Sequence, residues 1–465
     1  MIKIVDQVFD ELAGMNETDA AQVAAEPLFL SATDNAGSVI GSFSVNGTQG
    51  ITWTAATDPS DILDASGNTY TFTAEGEAVM TCSKGGIEKL VSLYHPEVKV
   101  ITTAAQLAEL ATGVNSGEEF SITGLGTFPA GGEDSYFVLG NDIDLNGSAE
   151  SPWTPIGTVY EDENPIPFVG HFNGNGKTIS GLYVDSENGY QGLFGYVAYS
   201  SILNLTVEGE VHGGEYEIGG ICGRSIYATF KNCVSNVEVT GIEDVAGICG
   251  GSRNITIENC VNNGNVNGAQ HLGGIVGYAS GDNNIVKNCA NNAPVVVEQP
   301  ENEEDWGYDV GGICGILRED GIIKNCTNNA QVTGYRSVGG ICGHLWNDGR
   351  VFASINVGAV SGGFGVGGIC GVLTNDAEVS ATINAGAVSA NYEVAGICGA
   401  VQSGTISNSY NVGMVSSNDN YAAPLCRWID EGGISNCYYD YQMCPIESVW
   451  DDVVALSTAA LTSSD

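Results

Sequence analysis

Basic residues are scarce in this sequence. Fourteen lysines and arginines stand against 56 aspartates and glutamates, a formal net charge of −42. So acidic a surface repels phosphate backbones and anionic lipid, which argues against nucleic-acid partners and a polybasic membrane anchor. Proline is scarce too, at 12 residues of 465, and no Gly-X-Y period accompanies the 65 glycines, so a collagen-like triple helix is excluded. No window holds the roughly 18 apolar residues that span a bilayer, so direct membrane insertion is not expected. Met1–Gln7 lacks the apolar run of a secretory signal. The expectation is a piece of a longer exported protein, or a chain that leaves the cell by another route. Motifs of chemistry are missing as well. There is no Cys-x-x-Cys pair, no HExxH, no nucleophile elbow and no phosphate-binding loop. His95, His171, His212, His271 and His344 follow no motif. No enzyme activity and no cofactor other than calcium are expected.

What is abundant is repetition. "VGGICG" begins at Val310, Val338 and Val366, with variants at Ile218, Val245, Leu272 and Val394. Aligned on its fifth residue, the column reads Cys222, Cys249, Val276, Cys314, Cys342, Cys370, Cys398 and Cys426, in steps of 27 or 28 with one longer step into Cys314. A second column follows 11 to 13 residues on: Cys233, Cys260, Cys289, Cys326, Ser354, Thr382, Ser409 and Cys437. Two residues further lie Ser235, Asn262, Asn291, Asn328, Asn356, Asn384 and Asn411, and four beyond those a column of valines. Alternation of small apolar residues is strand logic. Leucine is nearly absent from the columns, which excludes a leucine-rich repeat. The expected fold is therefore all-β, a right-handed parallel β-helix with three strands per coil and about 28 residues per coil. In it the asparagine column sits at a left-handed turn and bonds from coil to coil. The cysteines are read as buried free thiols, because in-register side chains point the same way and make poor disulfide geometry. Cys426, Cys437 and Cys444 are the candidates for exceptions.

Four segments are expected: an N-terminal helical segment over 1–26, a small β-rich, sandwich-like domain over 27–99, the β-helix over 100–440 and a capping segment over 441–465. A short helix in "ITTAAQLAELATGVNSG", with Thr102 or Thr103 as N-cap, would close the end of the β-helix.

Residues 100–465 carry "NDIDLNG", "WTPIG", "GHFNGNGKTISGL", "GLFGYV", "GGICG", "NCYYD" and "ALSTAALTSSD". In these phrases the sequence resembles the GLUG-motif proteins, bacterial surface and adhesin-like proteins whose repeats also accompany immunoglobulin-A-specific metallopeptidases. The resemblance implies a right-handed parallel β-helix on an extracellular or cell-surface protein, with repeats that are not the catalytic part.

Candidate binding residues come from departures from the repeat. The long step before Cys314 contains "EQPENEEDWGYD", with Trp306 and Tyr308 among six acids. Six residues before the first cysteine column lie Tyr216, Tyr308, Phe364 and Tyr392, with Tyr335 one place off. These aromatics stack on successive coils, or else line a strip for sugars. Asp142, Asp144 and Asn146 of "DIDLNG" carry the front half of a calcium loop, but Trp153 occupies its twelfth position, so no EF-hand forms. Three functions stay open: a non-catalytic scaffold presenting loops to a host glycan or surface protein, a polysaccharide lyase or hydrolase, and a phage tail spike.

Overall fold

The computed structural model describes residues 28–31, 42–44, 52–55, 63–66, 69–72, 76–159, 165–297, 308–418, 421–448, 450 and 452–462. The helical segment expected over 1–26 lies outside them. The chain divides into two units, one of residues 1–100 with 135–138, the other of 101–134 with 139–465.

In the first unit Gly76–Lys84 and Ile87–His95 form an antiparallel hairpin, turned by Gly85 and Gly86, both at positive φ. Leu28–Ser31 adds in parallel to one side of it and Thr52–Ala55 in antiparallel fashion to the other. A second, three-stranded sheet joins Ser42–Ser44, Leu63–Ser66 and Thr69–Phe72. Ala78, Met80, Cys82 and Val91 are buried, the inward half of a period-two pattern.

The second unit is a parallel β-solenoid of about nine turns, about 28 residues each. One coil shows the plan. Arg336–Gly339, Cys342–Trp346, Arg350–Phe352, Ile355–Asn356 and Val360–Gly362 follow one another. Each pairs in parallel with the residues one repeat on, as in Arg336↔Phe364, Cys342↔Cys370, Arg350↔Glu378, Ile355↔Ile383 and Val360↔Val388. The coil thus has five short strand segments where three were expected. Left-handed residues divide them: Asn347 and Asp348 before Arg350, and Ala353 before Ile355.

The interior is built of columns. Cys222, Cys249, Cys314, Cys342, Cys370 and Cys398 are all fully buried and pair Cα to Cα between coils, with Val276 filling one place. All fourteen cysteines are buried and free, Cys426, Cys437 and Cys444 included. The second column tolerates serine for a visible reason. Cys326 Sγ donates to the carbonyl of Lys324, two residues back, and Ser354 Oγ makes the same bond to Phe352.

The asparagine ladder is present, and its conformation corrects the expectation. Asn262, Asn291, Asn328, Asn356, Asn384 and Asn411 lie in strand pairs and are absent from the left-handed residues. The left-handed place falls three residues earlier, at Asn232, Asn259, Asn288, Asn325, Ala353, Ala381 and Asn408. Each buried ladder amide from Asn262 to Asn384 donates to the next ladder oxygen at 2.8–2.9 Å and to the carbonyl two residues on in its own coil. The earlier, left-handed asparagines form a second ladder running the other way, as in Asn259 to Asn232 at 3.1 Å.

The second glycine of "VGGICG" serves that buried ladder. A Cβ on Gly340 would stand 2.2 Å from the Gly368 carbonyl oxygen and 2.3 Å from Asn356 Cγ. Gly312 meets Asn328, Gly368 meets Asn384 and Gly396 meets Asn411 in the same way. The hexapeptide strand and the asparagine strand thus face each other across the coil, and only a residue without a side chain fits between them.

Before the repeats, Ala104–Asn115 is helical with Thr103 as N-cap, its side chain accepting from the Gln106 amide. Leu107, Leu110, Ala111 and Val114 are buried on one face. At the other end Val453–Leu456 pairs with Cys437–Asp440, and a short helix, Thr458–Thr462, follows. Among the described residues no helix is long and apolar enough to cross a membrane.

Candidate functional site

Two columns leave the regular interior, and both run along the eight-stranded sheet that carries the start of each hexapeptide, with Tyr190 and Glu393 just beyond its strands. The first is the expected aromatic line. Its register runs Tyr216, Glu243, Gln270, Tyr308, Arg336, Phe364. The aromatics therefore form no ladder over the whole line, although Tyr335, Phe364, Tyr392 and Tyr421 contact one another in turn. Tyr216 contacts Tyr190 edge to face at 5.1 Å, and Glu243 and Gln270 separate it from the others. Tyr308 is half-buried, and the Arg336 guanidinium lies between it and Phe364, 5.4 Å from one ring and 5.5 Å from the other. Phe364 and Tyr392 do stack, at 4.8 Å and 14°. Trp306 lies outside the described residues.

Self-stacking at that spacing occupies ring faces. At its C-terminal end the line opens. Tyr421 is tilted 49° from Tyr392, and together with Trp428, Arg427 and Glu393 it lines a depression of about 320 Å³. Tyr421 and Trp428 are among the most exposed aromatics, and Arg427 lies 5.8 Å from the Tyr421 ring. Sequence reasoning missed this place, because Tyr421 falls one residue outside the aromatic column and Trp428 belongs to another strand.

The second column is the next residue along: Tyr190, Glu217, Asp244, His271, Asp309, Ser337, Gly365 and Glu393, every one at positive φ. The left-handed conformation turns these side chains along the axis, over the outward residues that follow the first cysteine column. Glu217 receives Arg224 Nη1 on both carboxylate oxygens, at 2.6 and 2.9 Å. Burial pushes its carboxyl up to about 7, against the pull of the guanidinium. His271 Nδ1 lies 2.7 Å from Asp244 Oδ1 and 3.5 Å from Glu243 Oε1, and Nε2 lies 3.8 Å from Asp309 Oδ2. Burial lowers its pKa, but the Asp244 hydrogen bond and the charges of Asp244, Asp309 and Glu243 carry it above the ordinary imidazole value. On the far side of Asp309, His344 Nδ1 stands 3.5 Å away and its Nε2 meets Thr374 Oγ1 at 3.0 Å. Two histidines without motif spacing thus share one carboxylate. The signal was available in the sequence as a polar column, "E-D-H-D", directly before the apolar first residue of successive hexapeptides.

The calcium candidates have other partners. Asp142 Oδ1 accepts from the Thr178 amide at 2.9 Å, and Asp144 Oδ1 accepts from the Asn146 amide at 2.9 Å in a turn where Asn146 is left-handed. Ile143 between them is buried, so this segment behaves as a strand with an Asx turn.

No family model matches the sequence, so the GLUG resemblance stands on its motifs. One curated relative is a protein assigned as a Gly-rich membrane protein from Evansella cellulosilytica, 34% identical over 102 residues, 20% of this chain and 11% of that protein. Another is halomucin from Haloquadratum walsbyi, 31% identical over 113 residues, 23% of this chain and 1% of that protein. The chain therefore spans a small fraction of the relatives it matches. Among solved structures, a protein from Bacteroides ovatus assigned as an immunoglobulin A1 protease matches with a TM-score of 0.34 and 19% identity, over 74% of this chain and 84% of that one. A score so low carries no argument about this chain.

Proposed function

We propose that this chain is a non-catalytic extracellular scaffold that presents a glycan-binding site at the end of its aromatic line. The observation that carries the reading is the depression formed by Tyr421, Trp428, Arg427 and Glu393. Two exposed aromatic faces beside a guanidinium and a carboxylate supply what a sugar needs: apolar contact for its ring and hydrogen bonds for its hydroxyls. The stacked coils supply a stiff support, since each buries its apolar face against its neighbours. A surface location fits the acidic composition and the relative whose name calls it a membrane protein.

Polysaccharide cleavage is the competing reading, and the carboxylates converging on His271 favour it. A glycan array followed by calorimetric titration, run beside a polysaccharide-degradation assay, separates the two. The scaffold reading expects saturable binding, no product, and at least a tenfold weaker complex in Trp428→Ala and Tyr421→Ala, the weight of about one stacked ring. Binding that ignores both substitutions removes the site. Degradation lost in His271→Gln replaces the scaffold with an enzyme.

A further inference from the structure

We propose that Glu243, Asp244 and His271 form a binding site for a first-row divalent cation such as zinc, with Asp309 as the outer partner of the histidine. Consecutive strand residues ordinarily point to opposite faces. Here the left-handed conformation of Asp244 brings its carboxylate and that of Glu243 to the same ring nitrogen of the next coil. One ligand atom from each of the three residues fits within a 4.8 Å cluster. Zinc bonds of about 2.0–2.2 Å set tetrahedral ligands roughly 3.4 Å apart. The 3.5 Å from Nδ1 to Glu243 matches that spacing, and the 2.7 Å hydrogen bond to Asp244 opens by less than about 1 Å when a metal replaces its proton.

The other side of the ring supports the same assignment. Histidines that bind metal turn their second nitrogen to a carboxylate, which fixes the ring and raises its basicity. His271 Nε2 faces Asp309. Among the described residues no lysine or arginine forms an ion pair with Glu243, Asp244 or Asp309, so the three carboxylates face only imidazoles, His271 and, on the far side of Asp309, His344. Glu243 is half-exposed, which leaves solvent access for the remaining coordination position. The imidazole nitrogen selects a borderline metal over calcium, which takes six to eight oxygens.

The test is calorimetric titration of zinc chloride into the chelator-treated full chain, with folding of every variant checked by circular dichroism. One equivalent of zinc is expected. His271→Gln and Asp244→Asn should weaken it by a hundredfold or more, and Asp309→Asn by about tenfold, as for other outer-shell partners. Glu243→Gln keeps the test readable should a more buried variant misfold, and His212→Gln should change nothing. Cobalt in place of zinc should show visible d–d bands without a thiolate charge-transfer band. Absence of zinc binding overturns the proposal. So does binding unaltered in His271→Gln, or a thiolate band, which would put the metal on the cysteine columns.

Discussion

The inner wall of a coil and its outer corner are only a few residues apart, yet they follow different rules. On the inner wall one residue type recurs from coil to coil: asparagine on asparagine, cysteine on cysteine, glycine opposite the amide. At the corner the backbone conformation recurs while the side chains do not, and Glu217, Asp244, His271, Asp309, Ser337 and Glu393 share one left-handed place. Asparagine is demanded where each amide bonds to its own copy above and below, while the cysteine columns, whose thiols bond to carbonyls, admit Val276, Ser354, Thr382 and Ser409. Variety is allowed where solvent covers one side, and there the coil has room for a site.

The largest expected effect breaks the inner wall. Gly340→Ala puts a methyl against the Asn356 amide and the Gly368 carbonyl. It should cost about 3–5 kcal/mol, combining overpacking with a disturbed buried hydrogen bond. Denaturant unfolding measures it. A loss below about 1 kcal/mol would mean the coil can widen, and would undo the account of the paired glycines.

The next effect belongs to the corner and depends on pH. Glu217 titrates near 7 when folded against an ordinary value of 4.5. The folded state therefore holds its proton more tightly than the unfolded state does. This contribution is fully present below about 4.5 and is lost as pH rises to about 7, with a ceiling of about 3 kcal/mol. Glu217→Gln should flatten that part of the stability–pH curve relative to the wild type. Parallel curves would show that Arg224 keeps the carboxylate charged throughout.

A smaller difference grades the inner wall along its length. Asn356 accepts from Asn328 and donates to Asn384, whereas Asn411 accepts from Asn384 and is followed in the column by Tyr439. Asn356→Ala should cost about 1–3 kcal/mol and Asn411→Ala less. Equal losses in the two melts would deny the ladder its cooperative role. Smallest of all, Cys326→Ser should stay within about 1 kcal/mol, because Ser354 already makes the same bond to a carbonyl two residues back in the next coil. A much larger loss would show that the thiol's bulk, rather than its hydrogen bond, holds the column.

Periodicity made the solenoid legible. An in-register stack needs like residues one coil apart, so columns in the sequence become columns in space. The asparagine ladder was legible as a contact but not as a conformation. Asn259 and Asn262 are the same residue type three places apart, and only the backbone angles tell the left-handed one from the buried one. The number of strand segments was hidden for the same reason.

The sequence by itself therefore determined the repeat length, the solenoid and the cysteine and asparagine columns, because these follow from nearest-neighbour contacts between copies of one unit. Tertiary structure alone decided where chemistry gathers. His271 meets Glu243 and Asp244 one coil back and Asp309 one coil on, while Tyr421 meets Trp428 around a corner of the coil. The polar column of Asp244, His271 and Asp309 is visible in the sequence, but its convergence depends on their left-handed conformation, a choice that residue type leaves open.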